Sequence, residues 1–373
     1  MPVLIMVREL DQGGVERDVA KIATGLDPSR FEAHVATFYP HGMRYEDLRA
    51  AGIPILPLPL TSLLSKGALS AAARMGRYIR EHRIKIVHAY DASGVFGLPV
   101  GWLSGVPVLI GSQLSYRGLL DSRSQKLLRF SERFADAILV NCEAMRRHMA
   151  DDEHVPPDKI EVCYNGVETM QFFPNPAPRP EQVGAASLVI GTVCALRPEK
   201  NLPLLQEAFA RVLPSQPDMK LVFVGSGAEL AGLQENAAHL KIGNASVFIP
   251  ATRNVAQWLN AIDIFVLPSW SEAFSNSLLE AMACGCAVIG SRVGGTPELT
   301  GTDGERGLLF ESGDAEALAT QIASLVGNPD RRRDLGERAA RFAKEHLSIE
   351  IAARRTGEIY DKWLEQKQVR IQG

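Results

Sequence analysis

Glu272 and Glu280 stand eight positions apart in EAFSNSLLE, between the apolar run IFVLPS (Ile264 to Ser269) and EAMACGCAVIGS. An ionised carboxylate only accepts hydrogen bonds, so hydroxyls are its natural partners, and each charge-assisted bond contributes about 1.5–3 kcal/mol. Ser275, Asn276 and Ser277 are helix-capping residue types, and Leu278, Leu279, Met282 and Ala283 recur at helical spacing. A helix is therefore expected to open near Asn276, with Glu272 in the loop before it and Glu280 about one turn inside. The first turn of such a helix carries roughly half a positive charge and takes phosphate without a side-chain cation. Hydroxyl acceptors beside a phosphate-binding helix end suit a phosphorylated sugar, with Glu272 toward sugar hydroxyls and Glu280 toward a ribose diol. Taken singly, the same residues are a loop or capping carboxylate and a solvated helix residue, so the surrounding elements decide.

Those elements repeat twice. VLIMV, HVATF, ILPLP, KIVHAY, VPVLIG, AILVNC and KIEVCYNG are short apolar runs separated by amphipathic stretches, the pattern of parallel βα units. After Phe173 comes PNPAPRPEQVGAAS, rich in proline and small residues and without periodicity, which reads as a linker over 174–187. LVIGTVCAL, KLVFVG, SVFIP, IFVLPS and AVIGS then resume the alternation. At 373 residues the chain exceeds what one hydrophobic core usually supports. The expected organisation is an N-terminal α/β domain over 1–173, the linker, a second α/β domain over 188–347, and a terminal amphipathic helix over 348–373. Two doubly wound α/β domains would face a central cleft, and ligands bind outside the carboxyl ends of the strands.

EAFSNSLLEAMACGCAVIGSRVGGTPEL resembles, nearly position for position, the donor-site segment of the retaining glycosyltransferases of family 4, also called glycosyl transferases group 1. The resemblance implies the GT-B fold, two Rossmann-like domains of which 1–173 binds the acceptor and 188–347 the nucleotide-sugar donor, with a terminal helix that crosses back to the first. It implies a nucleotide-sugar donor site in which Phe274, Ser275, Asn276, Ser277 and Leu278 join Glu280. Ala273 stands where the family usually has glycine. CALRPEKNLPLLQEAF is similar to the family's loop in which an arginine and a lysine clamp the diphosphate. Lys200 matches the lysine; the usual arginine position holds Ala195, and Arg197, two residues on, is carried over in its place. Arg197 paired with Glu199 at the surface is the other reading. Gly225 in VFVGSGAE forms a turn able to line the nucleotide pocket, and Ala251, Thr252 and Arg253 follow a strand where the family places backbone contacts to the base.

Gly13 and Gly14 in LDQGGVERDVAKIA open a helix after the first strand, where a missing Cβ lets backbone N–H groups approach a diphosphate or an acceptor. Family 4 has such a glycine pair facing the donor phosphates. Glu16 and Arg17, on that helix, read equally as structural or acceptor-facing. IVHAYDAS ends a strand at His88, and the family often has a second histidine two residues later, near the transferred sugar; here Tyr90 takes that place. His88 is open to reading as a sugar-facing ligand or as a packed strand residue.

Composition excludes several classes. A net charge of -3 gives no bulk argument for nucleic-acid binding. Cys142, Cys163, Cys194, Cys284 and Cys286 form a scattered, odd set with no disulfide framework, and Cys284 and Cys286 lack further zinc ligands nearby. No Asp-X-Asp occurs, so no essential metal and no resident cofactor is expected. The uncharged stretch Gly94 to Gly111 is long enough to raise a membrane span, yet its prolines and glycines fit a helix near Ser93 to Leu103, a turn and a strand from Val108. No secretory signal precedes VLIMV, which predicts a cytoplasmic protein. Arg74, Arg77, Arg80, Arg83 and Lys85, then Arg117, Arg123, Lys126, Arg129 and Arg133, sit on predicted helices as solvated faces or as a contact with an acidic acceptor or, peripherally, with anionic lipid.

The resemblance thus implies a retaining transferase moving a sugar, UDP-linked in most such families, to a hydroxyl of a glycan, lipid-linked or small-molecule acceptor. Glu272, Arg197 and Lys200 are its expected catalytic residues. A nucleotide-sugar 2-epimerase of similar architecture and a non-catalytic nucleotide-sugar-binding protein are the alternatives.

Overall fold

The structure is a computed structural model that describes residues 1–11, 13–60, 62, 66–302 and 304–372. It divides into two compact units, Met1–Gly166 with Ile349–Gly373, and Val167–Ser348.

Unit 1 holds seven parallel strands: β1 (Pro2–Glu9), β2 (Glu32–Tyr39), β3 (Ile55–Pro57), β4 (Ile86–Tyr90), β5 (Val108–Gln113), β6 (Ala137–Val140) and β7 (Ile160–Val162). Their order is β3-β2-β1-β4-β5-β6-β7. Central strands covered on both faces must be apolar on both, which is why VLIMV in β1 and all of IVHAY in β4 are buried. The helix Gly94–Leu103 and β5 account for the uncharged stretch, and among the described residues no helix is long and apolar enough to cross a membrane.

The last helix, Ile349–Gln372, belongs to unit 1. Its buried stripe, Ala352, Ala353, Thr356, Ile359, Tyr360 and Trp363, has helical spacing and joins the core formed by Phe31 and the helix Gly14–Gly25. Gly357 makes the approach possible: a Cβ there would meet the Phe31 ring at 2.9 Å. The Phe31 and Tyr360 rings meet edge to face at 5.8 Å, and Trp363 Nε1 donates to Glu161 across 3.0 Å.

Unit 2 has six parallel strands: β8 (Leu188–Val193), β9 (Met219–Val224), β10 (Ser246–Ile249), β11 (Ile264–Leu267), β12 (Ala287–Ser291) and β13 (Leu308–Phe310). The order β10-β9-β8-β11-β12-β13 reverses direction between β8 and β11. Strand β13, three residues long, is too short to stand out by periodicity. The proline-rich stretch expected as a linker is bound along unit 2. Asn175 N–H donates to Asn260 Oδ1 across 2.7 Å, Arg179 reaches Asp263 at 2.6 Å, and Val183 is buried. Composition hides these contacts because they depend on partners some 80 residues downstream.

Candidate functional site

The crevice at a reversal of strand order is where open α/β sheets bind ligands, since the loops leaving the two strands diverge. In unit 2 that point lies between β8 and β11, and the loops after them carry the candidate residues. Lys200 Nζ, from the loop after β8, donates to Glu272 Oε1, from the loop after β11, across 2.5 Å. Buried Ser269 donates its hydroxyl to the same oxygen across 2.7 Å. Both bonds end on Oε1.

Backbone bonds fasten the two loops together. Trp270 N–H donates to Glu199 O at 2.9 Å, and the Ser269 carbonyl accepts from Ser291 and Ser312 hydroxyls at 2.7 and 3.2 Å. Two glycines permit the geometry. Gly294 has φ +49, and a Cβ on it would lie 1.6 Å from the Glu272 carbonyl oxygen; its neighbour Gly295 donates to the Ala273 carbonyl at 2.7 Å. Gly225 has φ +148, and a Cβ there would lie 1.8 Å from the Cys194 carbonyl oxygen. Only glycine fits either place. Asn201, φ +49, turns the chain from Lys200 into the helix Leu202–Val212.

The helix Asn276–Ala283 opens where the capping residues predict, with Ser275 as N-cap, its hydroxyl accepting from Leu278 N–H at 3.3 Å. Glu280 is only 2% exposed, which rules out the solvated-helix reading. Phe274 and Leu278 are core side chains, so any contact Leu278 makes with a ligand is a backbone one, and its N–H already serves the Ser275 cap. Arg197 is 68% exposed and lies 3.9 Å from Glu199, the outer limit of an ion pair; its side chain is not brought to Glu272 as Lys200 is. Arg253 is exposed beside Ala251, whose N–H donates to Ser226 Oγ at 3.0 Å.

Unit 1 reverses strand order between β1 and β4. Gly13 caps the helix Gly14–Gly25, and the Glu16 carboxylate folds back over it: a Cβ on Gly13 would lie 1.9 Å from Glu16 Oε2. Burial pushes the Glu16 carboxyl up, and Glu9, Asp18 and Asp11 add to the effect. Across the reversal, Asp91 directly follows β4 with φ +45, accepts from Leu114 N–H at 3.0 Å, and is pushed up to about 6, mainly by burial. Sequence reading did not single out Asp91; no periodic signal marks a non-glycine residue held at positive φ.

His88 and Tyr90 correct the expectation of a sugar-facing pair. His88 is fully buried, its Nδ1 2.7 Å from the Tyr360 hydroxyl and its Nε2 2.6 Å from Ser112 Oγ, and burial lowers it to about 3. Both ring nitrogens are therefore spent on the terminal helix and β5. Tyr90 packs in the same core with its ring 4.4 Å from His88, and burial drives its hydroxyl well above the ordinary range. Arg117 is likewise no solvated helix residue: it is buried and paired with Glu132 and Glu153. All five cysteines are free thiols.

The family profile described as "Glycosyl transferases group 1" matches residues 179–342, and the one described as "Glycosyltransferase Family 4" matches residues 12–171. The chain is 28% identical over 298 residues to N-acetyl-alpha-D-glucosaminyl L-malate synthase of Bacillus anthracis, covering 76% of each. It is 29% identical over 273 residues to D-inositol 3-phosphate glycosyltransferase of Streptomyces coelicolor, covering 66% of this chain but 58% of that protein. The crystal structure of Anabaena HepE in complex with UDP superposes with a TM-score of 0.85 at 21% identity, covering 97% of this chain and all of that one.

Proposed function

We propose that this chain, which belongs to glycosyltransferase family 4 and has its fold of two Rossmann-like domains, transfers a sugar from a nucleoside diphosphate sugar to a hydroxyl acceptor with retention and without an essential metal. The observation that carries the reading is the Lys200–Glu272 contact at the strand-order reversal of unit 2, beside the N-terminus of the helix Asn276–Ala283. A cation and a helix end supply the electrostatics for a diphosphate, and two buried carboxylates supply acceptors for hydroxyls. Glu272 Oε2, on which neither protein bond ends, is the oxygen assigned to the sugar. Glu280 is assigned to the ribose diol. UDP is the expected nucleotide; that HepE was solved with UDP supports this as analogy.

In the transfer step the bond from the anomeric carbon to the β-phosphate oxygen breaks as the acceptor hydroxyl forms its bond on the same face. The acceptor proton passes to the departing phosphate oxygen. Lys200, the helix N–H groups and, on swinging inward, Arg197 stabilise the charge that develops on the leaving diphosphate. The metal-free form of this step is part of the proposal and rests on the lack of an Asp-X-Asp motif in the sequence. An acceptor bound by unit 1 would meet the loops that hold Gly13, Gly14, Glu16 and Asp91, and a lipid-linked one would place the protein at a membrane surface.

A thermal-shift panel of UDP, GDP and ADP with their sugars tests the donor, because a ligand at about a hundred times its Kd stabilises by about 2.7 kcal/mol. One nucleotide and its sugars should stand out. Incubating that sugar donor without acceptor should release no epimer; an epimer would convert the reading to a 2-epimerase.

A further inference from the structure

Neighbouring helices of unit 1 carry a surface that the transfer site does not use. The helix Gly94–Leu103 ends in Trp102, 58% exposed, and Leu103, 76% exposed. The helix Ser122–Ser131 exposes Leu127 and Phe130, the latter by 55%. Phe134 joins the two groups, its ring centroid 5.4 Å from Trp102 and 5.7 Å from Phe130. Single exposed apolar residues need no explanation, but several large ones joined into a stripe do.

Charge is distributed unevenly around that stripe. Arg123, Lys126, Arg129 and Arg133 are exposed on and just after the second helix, which contains no Asp or Glu. The first helix has no charged residue. Nearby Glu132 is turned in to buried Arg117, and Arg129 is joined to Glu153 by a bidentate pair at 2.7 and 3.1 Å. From the helix Lys66–Glu81, the Arg80 guanidinium lies beside Ser104, the residue after Leu103: both are within 4 Å of where a Cβ on Gly76 would be. Arg77 and Arg83 are exposed on and just past that helix. Asp121 is occupied in capping the helix Ser122–Ser131, and Glu81 is the exposed acidic residue of the helix Lys66–Glu81.

The topology separates this face from the ligand loops. Helices of a parallel sheet run back against the strands, so Trp102, Leu103 and Phe130 lie where the strands begin, whereas Gly13, Glu16 and Asp91 lie where β1 and β4 end.

We infer that this face docks on an anionic lipid bilayer. Trp102, Leu103, Leu127 and Phe130 enter the interface between headgroups and acyl chains, where an amphipathic indole is most at home, and the arginines and Lys126 meet headgroup phosphates. A second copy of the chain fits less well, because a two-fold contact would set the same cations against one another.

The test is partition of the full chain onto phosphatidylcholine vesicles with and without phosphatidylglycerol. Binding should require the anionic lipid, weaken in high salt, and shift tryptophan emission to the blue in a Trp270→Phe background, a shift that Trp102→Ala abolishes. Lys126→Glu and Arg133→Glu should each lower partition at least about five-fold, the worth of one surface cation. All these side chains are exposed, so unchanged melting curves will show that the variants fold. Absence of binding at low salt, equal binding to both vesicle types, or a dimer that Trp102→Ala dissociates would each overturn the inference.

Discussion

Lys200 and Glu272, seventy-two residues apart in sequence, meet at 2.5 Å where the strand order of unit 2 reverses. The contact joins a cation able to neutralise a leaving phosphate to a carboxylate able to hold the sugar that the phosphate leaves. Buried Ser269 fixes the carboxylate from a second side.

Removing either partner strands the other. Lys200→Ala and Glu272→Gln should each slow transfer by about 10²–10³-fold, the usual worth of one electrostatic group aimed at a transition state. Both side chains are largely buried, so each variant should also lose about 1–3 kcal/mol of stability. A double-mutant cycle read by urea denaturation should give a coupling energy of about 0.5–3 kcal/mol. Additive single effects would mean that the contact is incidental.

Gly294 packs directly against the Glu272 carbonyl. Gly294→Ala forces a Cβ onto the Glu272 carbonyl and a side chain into a left-handed backbone. It should cost about 1–3 kcal/mol and weaken nucleotide-sugar binding more than free-nucleotide binding. Gly232→Ala, with nothing within 4 Å of its Cβ, is the matched control and should leave binding unchanged.

Acid stability should carry the signature of His88. Its folded value of about 3 lies below the ordinary histidine value, so between about 3 and 6.5 the unfolded chain binds the proton that the folded chain refuses. Stability from this group is therefore complete above about pH 6.5 and is lost on acidification at about 1.4 kcal/mol per pH unit. Asp91 acts in the opposite sense. Its folded value of about 6 lies above the ordinary aspartate value, so its proton stabilises the folded chain below about pH 4 and that contribution fades as pH rises to about 6. The two slopes offset each other in the wild type between about pH 4 and 6. In His88→Asn, urea denaturation across that window should show a pH slope about 1.4 kcal/mol per unit lower than wild type; identical slopes would refute a buried neutral imidazole.

Tyr360 ties the terminal helix to β4 through that imidazole. Tyr360→Phe leaves His88 Nδ1 without its hydroxyl partner and should cost about 1–3 kcal/mol by chemical denaturation. Loss of the whole helix should unfold unit 1, because Phe31 and the helix Gly14–Gly25 would lose the cover of Ala353, Ile359 and Tyr360.

Alternation of apolar runs made every strand but β13 legible, since a strand covered on both faces has no other way to be written. The capping triplet Ser275–Ser277 placed the start of its helix near Asn276, where it lies. Side-chain destinations were harder, because they are set by residues distant in sequence. His88 has a ligand's chemistry and a core residue's surroundings, and only Tyr360, 272 positions away, distinguishes the two. Arg197 and Lys200 are neighbours in one loop, yet Lys200 reaches Glu272 while Arg197 stays in solvent. Asp91 gives no sign in its type or spacing that its backbone is held at positive φ beside other carboxylates. Gly294 lay within the family-like segment, but its place against the Glu272 carbonyl is a matter of atoms.

Calorimetric titration of wild type and Glu272→Gln, each with UDP and with the UDP-sugar that wild type prefers, separates the sugar contact from the diphosphate contact. Assigning Glu272 to the sugar and the helix end to the diphosphate predicts that UDP binds both proteins alike. The extra affinity of the sugar nucleotide should fall about ten-fold or more in the variant, the worth of one charge-assisted hydrogen bond. An unchanged ratio between UDP-sugar and UDP would mean that Glu272 does not hold the sugar.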